Sequence, residues 1–444
     1  MEQRVLKRAD MFQSSQLGQE FDLDFLNQPT SYATHGLHSF AAKCPPPLVA
    51  WILRQWSNPG DCILDPMAGS GTTLVESLLL GREALGVEID PLARLLCQVK
   101  TTPLPADRLQ YSSEQLLKSI EAACTRYDQG ERQHVPALPL FHNRDYWFLP
   151  EVSAKLALIK QAIADLAASD DEKRFFYIAF SSLILAKTSV ANARDVVHSR
   201  HHYLAHPMPP DVLALFRQRL KRMTAQMQQF VEQITQAPQP ATASMVGQDA
   251  RRLSLVEASV DLVVTSPPYC NALDYTRAHK LAVGWLADVL SINLQEYSLL
   301  GHSYIGAERG PMPAPSANGD QPWQVPLVQR LIAQVSELDC RKAVVVERYF
   351  ADMWQVLGEL GRVLRPGGHA ALVVCPSNIR KISIPTHLAF QEMAAALELP
   401  GQHRFAPVFL QARTISDRRR LMPYIGMEER MRTEYVLVLQ KSKS

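Results

Sequence analysis

Apolar residues along this chain recur in two rhythms, and the places where the rhythm changes mark its elements. Residues 45–56, "PPPLVAWILRQW", carry prolines at a helix start and then helical apolar spacing, and "SNPGD" breaks the helix ahead of a short strand, "CILD". A glycine-rich turn, "PMAGSG", leads into a helix at "TTLVESLLLG"; "EALGVEID" reads as a second strand and "PLARLLCQVK" as its helix. This alternation of strand and helix predicts a parallel sheet. From about residue 105 to 240 the texture changes: "SEQLLKSIEAACTRY", "EVSAKLALIKQAIADLAA", "RFFYIAFSSLILAKTSVANA" and "DVLALFRQRLKRMTAQMQQFVEQI" all have helical spacing with almost no strand signal. A Pro/Ala/Thr-rich linker, "TQAPQPATAS", closes this helical insertion. Strands resume at "SMVGQDARRL" and "SVDLVVTSPPY", followed by a helix candidate, "DYTRAHKLAVGWLADVL", and a loop-like stretch over 300–325. The long helix "VVVERYFADMWQVLGELGRVL" ends at "RPGG" before the strand "HAALVVC", and "RFAPVFLQART" and "TEYVLVLQK" are two last strands. The expected division is therefore 1–104 and 241–444 as two parts of one α/β unit, with 105–240 inserted between them.

Composition narrows the class. At 444 residues, 47% hydrophobic and 20% charged, this is an ordinary globular chain and not a disordered one. The opening "MEQRVLKRADMFQSSQ" lacks an apolar secretory core, and no apolar run reaches the length of a membrane span, so a cytoplasmic location without a membrane partner is expected. Seven cysteines without CxxC spacing argue for free thiols and against a zinc cluster, so no metal is expected. A net charge of +2 does not announce a polyanion partner, and local patches must carry that argument.

Two stretches carry chemistry. In "LDPMAGSGTT", residues 64–73, Gly69 and Gly71 let the backbone turn tightly and approach a ligand, and the helix starting near Thr72 aims free N–H groups at it. The strand before the turn ends in Asp65, and a second strand ends in Glu88, placed where an acidic side chain grips ribose hydroxyls. The loop holds no basic residue and lacks the GxxxxGK[ST] pattern, so a nucleoside-bearing ligand of low negative charge is favoured over a phosphate-rich one. A plain tight turn between strand and helix is the bland alternative. In "VVTSPPY", residues 263–269, an apolar strand runs into two prolines. Proline lacks an N–H but keeps its carbonyl, so Pro267 and Pro268 form a stiff shelf of outward acceptors. An exocyclic amine on a base has its lone pair delocalised into the ring. Accepting its N–H groups with the Ser266 side chain and the Pro267 carbonyl pulls it toward tetrahedral geometry and frees that pair. Tyr269 offers a flat face on which an extruded base stacks.

With these stretches together, the chain resembles the S-adenosyl-L-methionine-dependent amino-methyltransferases of DNA, which modify N4 of cytosine or N6 of adenine. "DPMAGSGTT" is similar to the family's first motif, "GVEIDP" to its acidic second, "GQDA" to the next cofactor-contacting one and "TSPPY" to its catalytic motif. "THGLHSFAAKCPPPL", residues 34–48, resembles the motif that closes over the methionine end of the cofactor, while "LRPGGHAALVVC" and "TEYVLVLQK" resemble the closing half of the fold. The resemblance covers roughly residues 30–100 and 245–440. It implies a Rossmann-like α/β fold and S-adenosyl-L-methionine as cofactor, held by Asp65, Pro66, Met67, Ala68, Gly69, Ser70, Gly71, Thr72, Glu88, Ile89, Asp90, Asp249 and Ala250. Glu88 would take the ribose hydroxyls, Ile89 would pack on adenine, and Asp249 would accept from the adenine amino group. Ser266, Pro267, Pro268 and Tyr269 would hold the target base.

Serine at the first position of "SPPY" is more usual among N4-cytosine enzymes than among adenine ones, which sets the expected reaction. Methylation at cytosine C5 would instead call for a cysteine after a proline; Cys44 and Cys375 each precede one. An N6-adenine DNA methyltransferase, an RNA or tRNA methyltransferase and a non-catalytic cofactor-binding protein are the alternatives, and a dehydrogenase would leave "SPPY" without a role. The expected substrate is double-stranded DNA, with a cognate restriction endonuclease as a further partner. Arg194, His198, Arg200, His201, His202, Arg217, Arg219, Lys221 and Arg222 cluster in the insertion, with a second basic spot at Arg418–Arg420; phosphate contact with target recognition by the insertion is one reading, and a solvated helix face is the other. Tyr304 and Arg309 lie in a loop able to close on the base or the duplex.

Overall fold

The computed structural model describes residues 21–443 apart from 27, 41–42, 191–208, 272–274, 309, 311–322 and 416–432. Its centre is a seven-stranded sheet built from β1 (Cys62–Asp65), β2 (Glu83–Val87), β3 (Ala243–Gly247), β4 (Val260–Thr265), β5 (Leu364–Val374), β8 (Phe405–Thr414) and β9 (Thr433–Lys441), in the order β3-β2-β1-β4-β5-β9-β8. The first five run parallel; β9 is antiparallel to β5 and β8 antiparallel to β9. A separate hairpin, β6 (Ser377–Ile379) with β7 (Ile382–Ile384), follows β5 directly.

The central strands are buried on both faces, which is why they read as unbroken apolar runs. Ile63, Leu262, Val264, Ala371 and Val373 pack on one side with Leu48, Val49, Ile52 and Leu53 of helix α1 (Pro46–Trp56). Leu64, Val263, Ala370 and Leu372, each one residue out of phase, point to the other side. Helices α2 (Thr72–Leu79) and α3 (Pro91–Thr101) follow β1 and β2 in the expected crossovers. Asp90 fixes the start of α3: its carboxylate accepts from Ala93 N at 2.9 Å, and Pro91 occupies the first turn.

Between α3 and β3 the described residues hold four longer helices, α4 (Ala106–Asp128), α5 (Pro150–Asp165), α6 (Asp170–Leu183) and α7 (Val212–Thr235). They do not stand apart from the sheet. Phe175, Phe180, Phe216 and Phe230 share one apolar cluster with Val75 and Leu78 of α2 and with Leu92, Leu96 and Val99 of α3. After β4 come α8 (Tyr275–Leu286) and α9 (Leu294–Leu300), then α10 (Pro326–Leu338) and α11 (Cys340–Val363), which cover the second face. Helix α12 (Thr386–Ala396) packs beside them. The architecture is the Rossmann-like α/β fold expected from the sequence. Among the described residues no helix is long and apolar enough to cross a membrane.

Candidate active site

Parallel strands β2, β1 and β4 end on the same edge of the sheet, so the loops that follow them meet there. The loop after β1 turns back through Gly69 at φ 51° and Gly71 at φ 80°, a region that disfavours a side chain. A Cβ on Gly71 would also come within 3.1 Å of Cys97 Sγ and 3.3 Å of its Cα. The loop is tied down from α3: Cys97 Sγ donates to Gly69 O at 3.3 Å and Lys100 Nζ to Ser70 O at 2.7 Å. Burial pushes the Lys100 amine down to about 7, with Lys43 adding repulsion. No side chain caps α2, whose first turn opens behind the loop.

A cleft of about 980 Å³, part of it open to solvent, lies over this edge. Asp65, Pro66, Met67, Ala68, Gly69, Ser70, Thr72, Glu88, Ile89, Asp90, Asp249, Ala250, Ser266 and Pro268 all line it. The glycine turn and the proline exit therefore share one cavity. Gly71 does not line it and forms the left-handed N-cap of α2 behind it. Pro267 is buried, and Tyr269 is half-buried off the wall. Burial raises the Tyr269 phenol well above its ordinary range, with Glu434, Cys375, Tyr275 and Cys44 as its polar surroundings.

Two acids at the strand ends are held in an unusually protonated range. Burial pushes Asp65 up to about 6, although Thr73, Thr265 and the Met67 N–H pull the other way. Glu88 is raised to about 7, by burial first and by neighbouring Asp90 and Asp65, against hydrogen bonds from Asp90 N at 2.9 Å and Gly69 N at 2.7 Å. Each Glu88 oxygen accepts one amide and keeps a second lone pair. Asp90 behaves oppositely. Burial acts to raise it, but the His279 ring at 3.1 Å and further hydrogen bonds, including that from the Tyr304 hydroxyl at 2.9 Å, outweigh burial and hold it below the usual carboxylate range. Asp249 is engaged already: Arg251 grips both its oxygens at 2.9 and 3.0 Å, and also reaches Asp352 at 2.9 Å and Ser303 O at 3.1 Å.

Several lining groups escape a motif search because distant segments bring them together. Phe40 and Tyr275 stack with ring centres 6.1 Å apart, and Tyr275 and Tyr304 stack at 5.9 Å, so three rings form a ladder along the wall of the cleft. Tyr304 is thus turned inward onto Asp90. The segment carrying Phe40 is clamped to the body: Glu76 of α2 accepts from Tyr32 Oη at 2.5 Å and bonds His35 Nε2 at 2.7 Å, and Thr34 Oγ1 donates to Lys100 O at 2.8 Å. From α7, Arg219 donates to the carbonyls of Gly36 and Leu37. That contact gives Arg219 a structural job, and Arg217 pairs with Glu121, while Lys221 and Arg222 face solvent. Arg194, His198, Arg200, His201, His202, Arg309 and Arg418–Arg420 lie outside the described residues.

Comparison with known proteins agrees with this geometry. A family model described as DNA methylase, of the N6/N4 methyltransferases, matches residues 4–95. The Type II methyltransferase M.MvaI of Kocuria varians is 28% identical over 387 residues, 84% of this chain and 83% of its own length. The Type II methyltransferase M.MjaII of Methanocaldococcus jannaschii is 30% identical over 164 residues, 37% of this chain and 30% of its own. The Type II methyltransferase M.BsoBI of Geobacillus stearothermophilus is 23% identical over 263 residues, 54% of this chain and 50% of its own. These matches support a DNA amino-methyltransferase of the N4/N6 family, with S-adenosyl-L-methionine as the cofactor such an enzyme uses.

Proposed function

We propose that this chain methylates the exocyclic N4 of a cytosine extruded from duplex DNA, as the modification half of a restriction system. The cleft suits the cofactor on its own terms. Ser70 Oγ is buried on its wall with no hydrogen-bond partner among the described residues, next to the uncapped first turn of α2. Such a hydroxyl and such amides fit the carboxylate of an amino acid. Asp65 and the loop from Met67 to Gly71 would hold that end, Glu88 the ribose and Ile89 the adenine. With Asp249 committed to Arg251, its share in adenine recognition would come through the backbone it positions or by sharing a lone pair. When bound, the cofactor supplies a methyl carbon on a good sulfonium leaving group.

What the protein must add is alignment and acceptors for the amine. One observation carries this reading: Ser266 Oγ donates to Val373 O at 3.2 Å while lining the same cleft as Gly69. Because its proton is spent on Val373, the hydroxyl can only accept from a group in the cleft. It is therefore oriented to take an amino N–H, while the roles proposed for the Pro267 carbonyl as second acceptor and for Tyr269 beside the base rest on the motif, since neither residue lines the cleft. Serine at this position supports cytosine N4 over adenine N6.

The test is to incubate the chain with methyl-labelled S-adenosyl-L-methionine and unmodified genomic duplex DNA, or with total RNA, and to identify the product by mass spectrometry. N4-methylcytosine in DNA is expected. N6-methyladenine would overturn the assignment of the base, and label in RNA alone, or in neither, would overturn the proposal.

A further inference from the structure

The hairpin β6–β7 springs from the carboxyl end of β5, beside the strand whose exit is Ser266, and nothing in the proposed chemistry uses it. Its register pairs Ser377 with Ile384, Asn378 with Ser383 and Ile379 with Ile382, leaving Arg380 and Lys381 as a two-residue turn. Both turn residues have positive φ, 53° and 68°. A turn of that hand is ordinarily made by Asn-Gly, because a Cβ is disfavoured there. Two long cations occupy it instead. The turn requires that backbone but not these residues, so their presence at an exposed tip points outward, to something the tip touches.

The two faces of the hairpin differ in the same sense. Ile379 and Ile384 are buried against the core under α10 and α11, whereas Asn378, Arg380, Lys381 and Ser383 are all exposed. The exposed face holds hydrogen-bonding side chains only, two of them cationic. Its position is set by Arg380, whose guanidinium binds Asp339 at 2.7 and 3.0 Å at the start of α11. Three residues on, Lys342 Nζ donates to Asn271 Oδ1 at 2.8 Å, two positions after Tyr269, and to Glu308 at 2.5 Å. The hairpin, the start of α11 and the loop leaving "SPPY" thus form one rim. Arg380 uses two of its five N–H donors on Asp339 and keeps the others. Lys381 has no ion-pair partner among the described residues.

We infer that this hairpin is a duplex-contacting ribbon, with Arg380 and Lys381 on phosphates flanking the extruded base and Asn378 and Ser383 facing the groove. A two-stranded ribbon is a shape the major groove admits. The inference rests on the DNA-methylating function proposed above and assigns its substrate contact to a segment outside both the helical block and the basic tail.

The test uses the full chain with Arg380→Asn and Lys381→Gly together, a pair that suits the turn better than the native one, and with Lys381→Gly alone, which keeps the Arg380–Asp339 pair and should show about half the change in slope. Binding to a fluorescent 30-base-pair mixed-sequence duplex is measured from about 50 to 200 mM salt, alongside cofactor binding by calorimetry. The duplex should bind about tenfold more weakly, with the slope of log affinity against log salt shallower by about 2, at unchanged cofactor affinity and thermal midpoint. Wild-type and doubly substituted chains that bind DNA alike, with equal slopes, overturn the ribbon while leaving the function standing. A wild-type chain that neither binds nor methylates DNA overturns both.

Discussion

Glu88 already holds two backbone amides, and in the proposed complex it takes two ribose hydroxyls as well. A carboxylate does this with all four lone pairs, whereas a protonated carboxyl gives up one acceptor. Burial has placed its titration at about 7, so the cofactor should select the ionised form. The sign follows: binding strengthens as pH rises through that value and levels off above it. Between pH 6 and 8 the ionised fraction rises about tenfold, which bounds the gain in affinity. Asp65, raised to about 6, titrates in the same direction and shares the effect only at the lower end. Calorimetric titration at pH 6, 7 and 8 should show this rise, and Glu88→Gln should bind weakly with a flattened profile. A wild-type affinity independent of pH would remove Glu88 from the ribose. The acid itself was legible in the sequence, because a strand ending in Glu about twenty residues after a glycine turn is a local pattern. That Gly69 and Asp90 amides would converge on it was not, since that depends on two loops meeting.

Elements show the same division between what is local and what is not. The strands at "CILD", "EALGV" and "VDLVVT" were legible as apolar runs, and the helical block as apolar spacing, because each pattern lies within one element. Helix α10 and the hairpin β6–β7 were missed. The first follows a loop-like stretch that hides its start, and the second has three-residue strands and a turn of Arg and Lys in place of Asn and Gly. The aromatic ladder was hidden for a different reason: Phe40, Tyr275 and Tyr304 come from three segments and meet only in the fold. Arg219 is the instructive case. Its sequence neighbours are basic, which suggests phosphate, yet its side chain is spent on the carbonyls of Gly36 and Leu37, at the base of the segment that brings Phe40 over Gly69. Arg219→Met keeps the aliphatic stem and deletes the hydrogen bonds. Charge-assisted bonds to partly buried carbonyls are worth about 1.5–3 kcal/mol, so the thermal midpoint should fall by a few degrees. Cofactor affinity should fall with it, while the salt dependence of DNA binding stays as in the wild type. A change in that slope without a change in cofactor affinity would return Arg219 to the phosphates.

At the scale of the whole molecule the helical block and the sheet are one packing problem. A chain can carry an insertion as a separate domain, with its own core and few crossing contacts, or can fold it into the core it interrupts. Here Phe216 and Phe230 of α7 are fully buried in the cluster that also contains Val75 of α2 and Leu92 of α3, the two helices that frame the glycine turn. Helix α6 adds Phe175, Phe176 and Phe180 to the same cluster, and Trp285 of α8, the helix after "SPPY", closes it. Neither α2 nor α3 could bury its outer face if the block were undocked. Loss of packing deep in the insertion should therefore be felt at the cofactor loop. Phe230→Ala removes a fully buried ring, which typically costs about 3–5 kcal/mol. Scanning calorimetry of the wild type should show one main transition, raised by saturating S-adenosyl-L-methionine through its preferential binding to the folded state. In Phe230→Ala that whole transition should move down by several degrees, with weaker cofactor binding at the same time. Two resolved transitions, of which only the lower moves with the substitution and only the upper responds to the cofactor, would show instead that the block folds as a unit of its own.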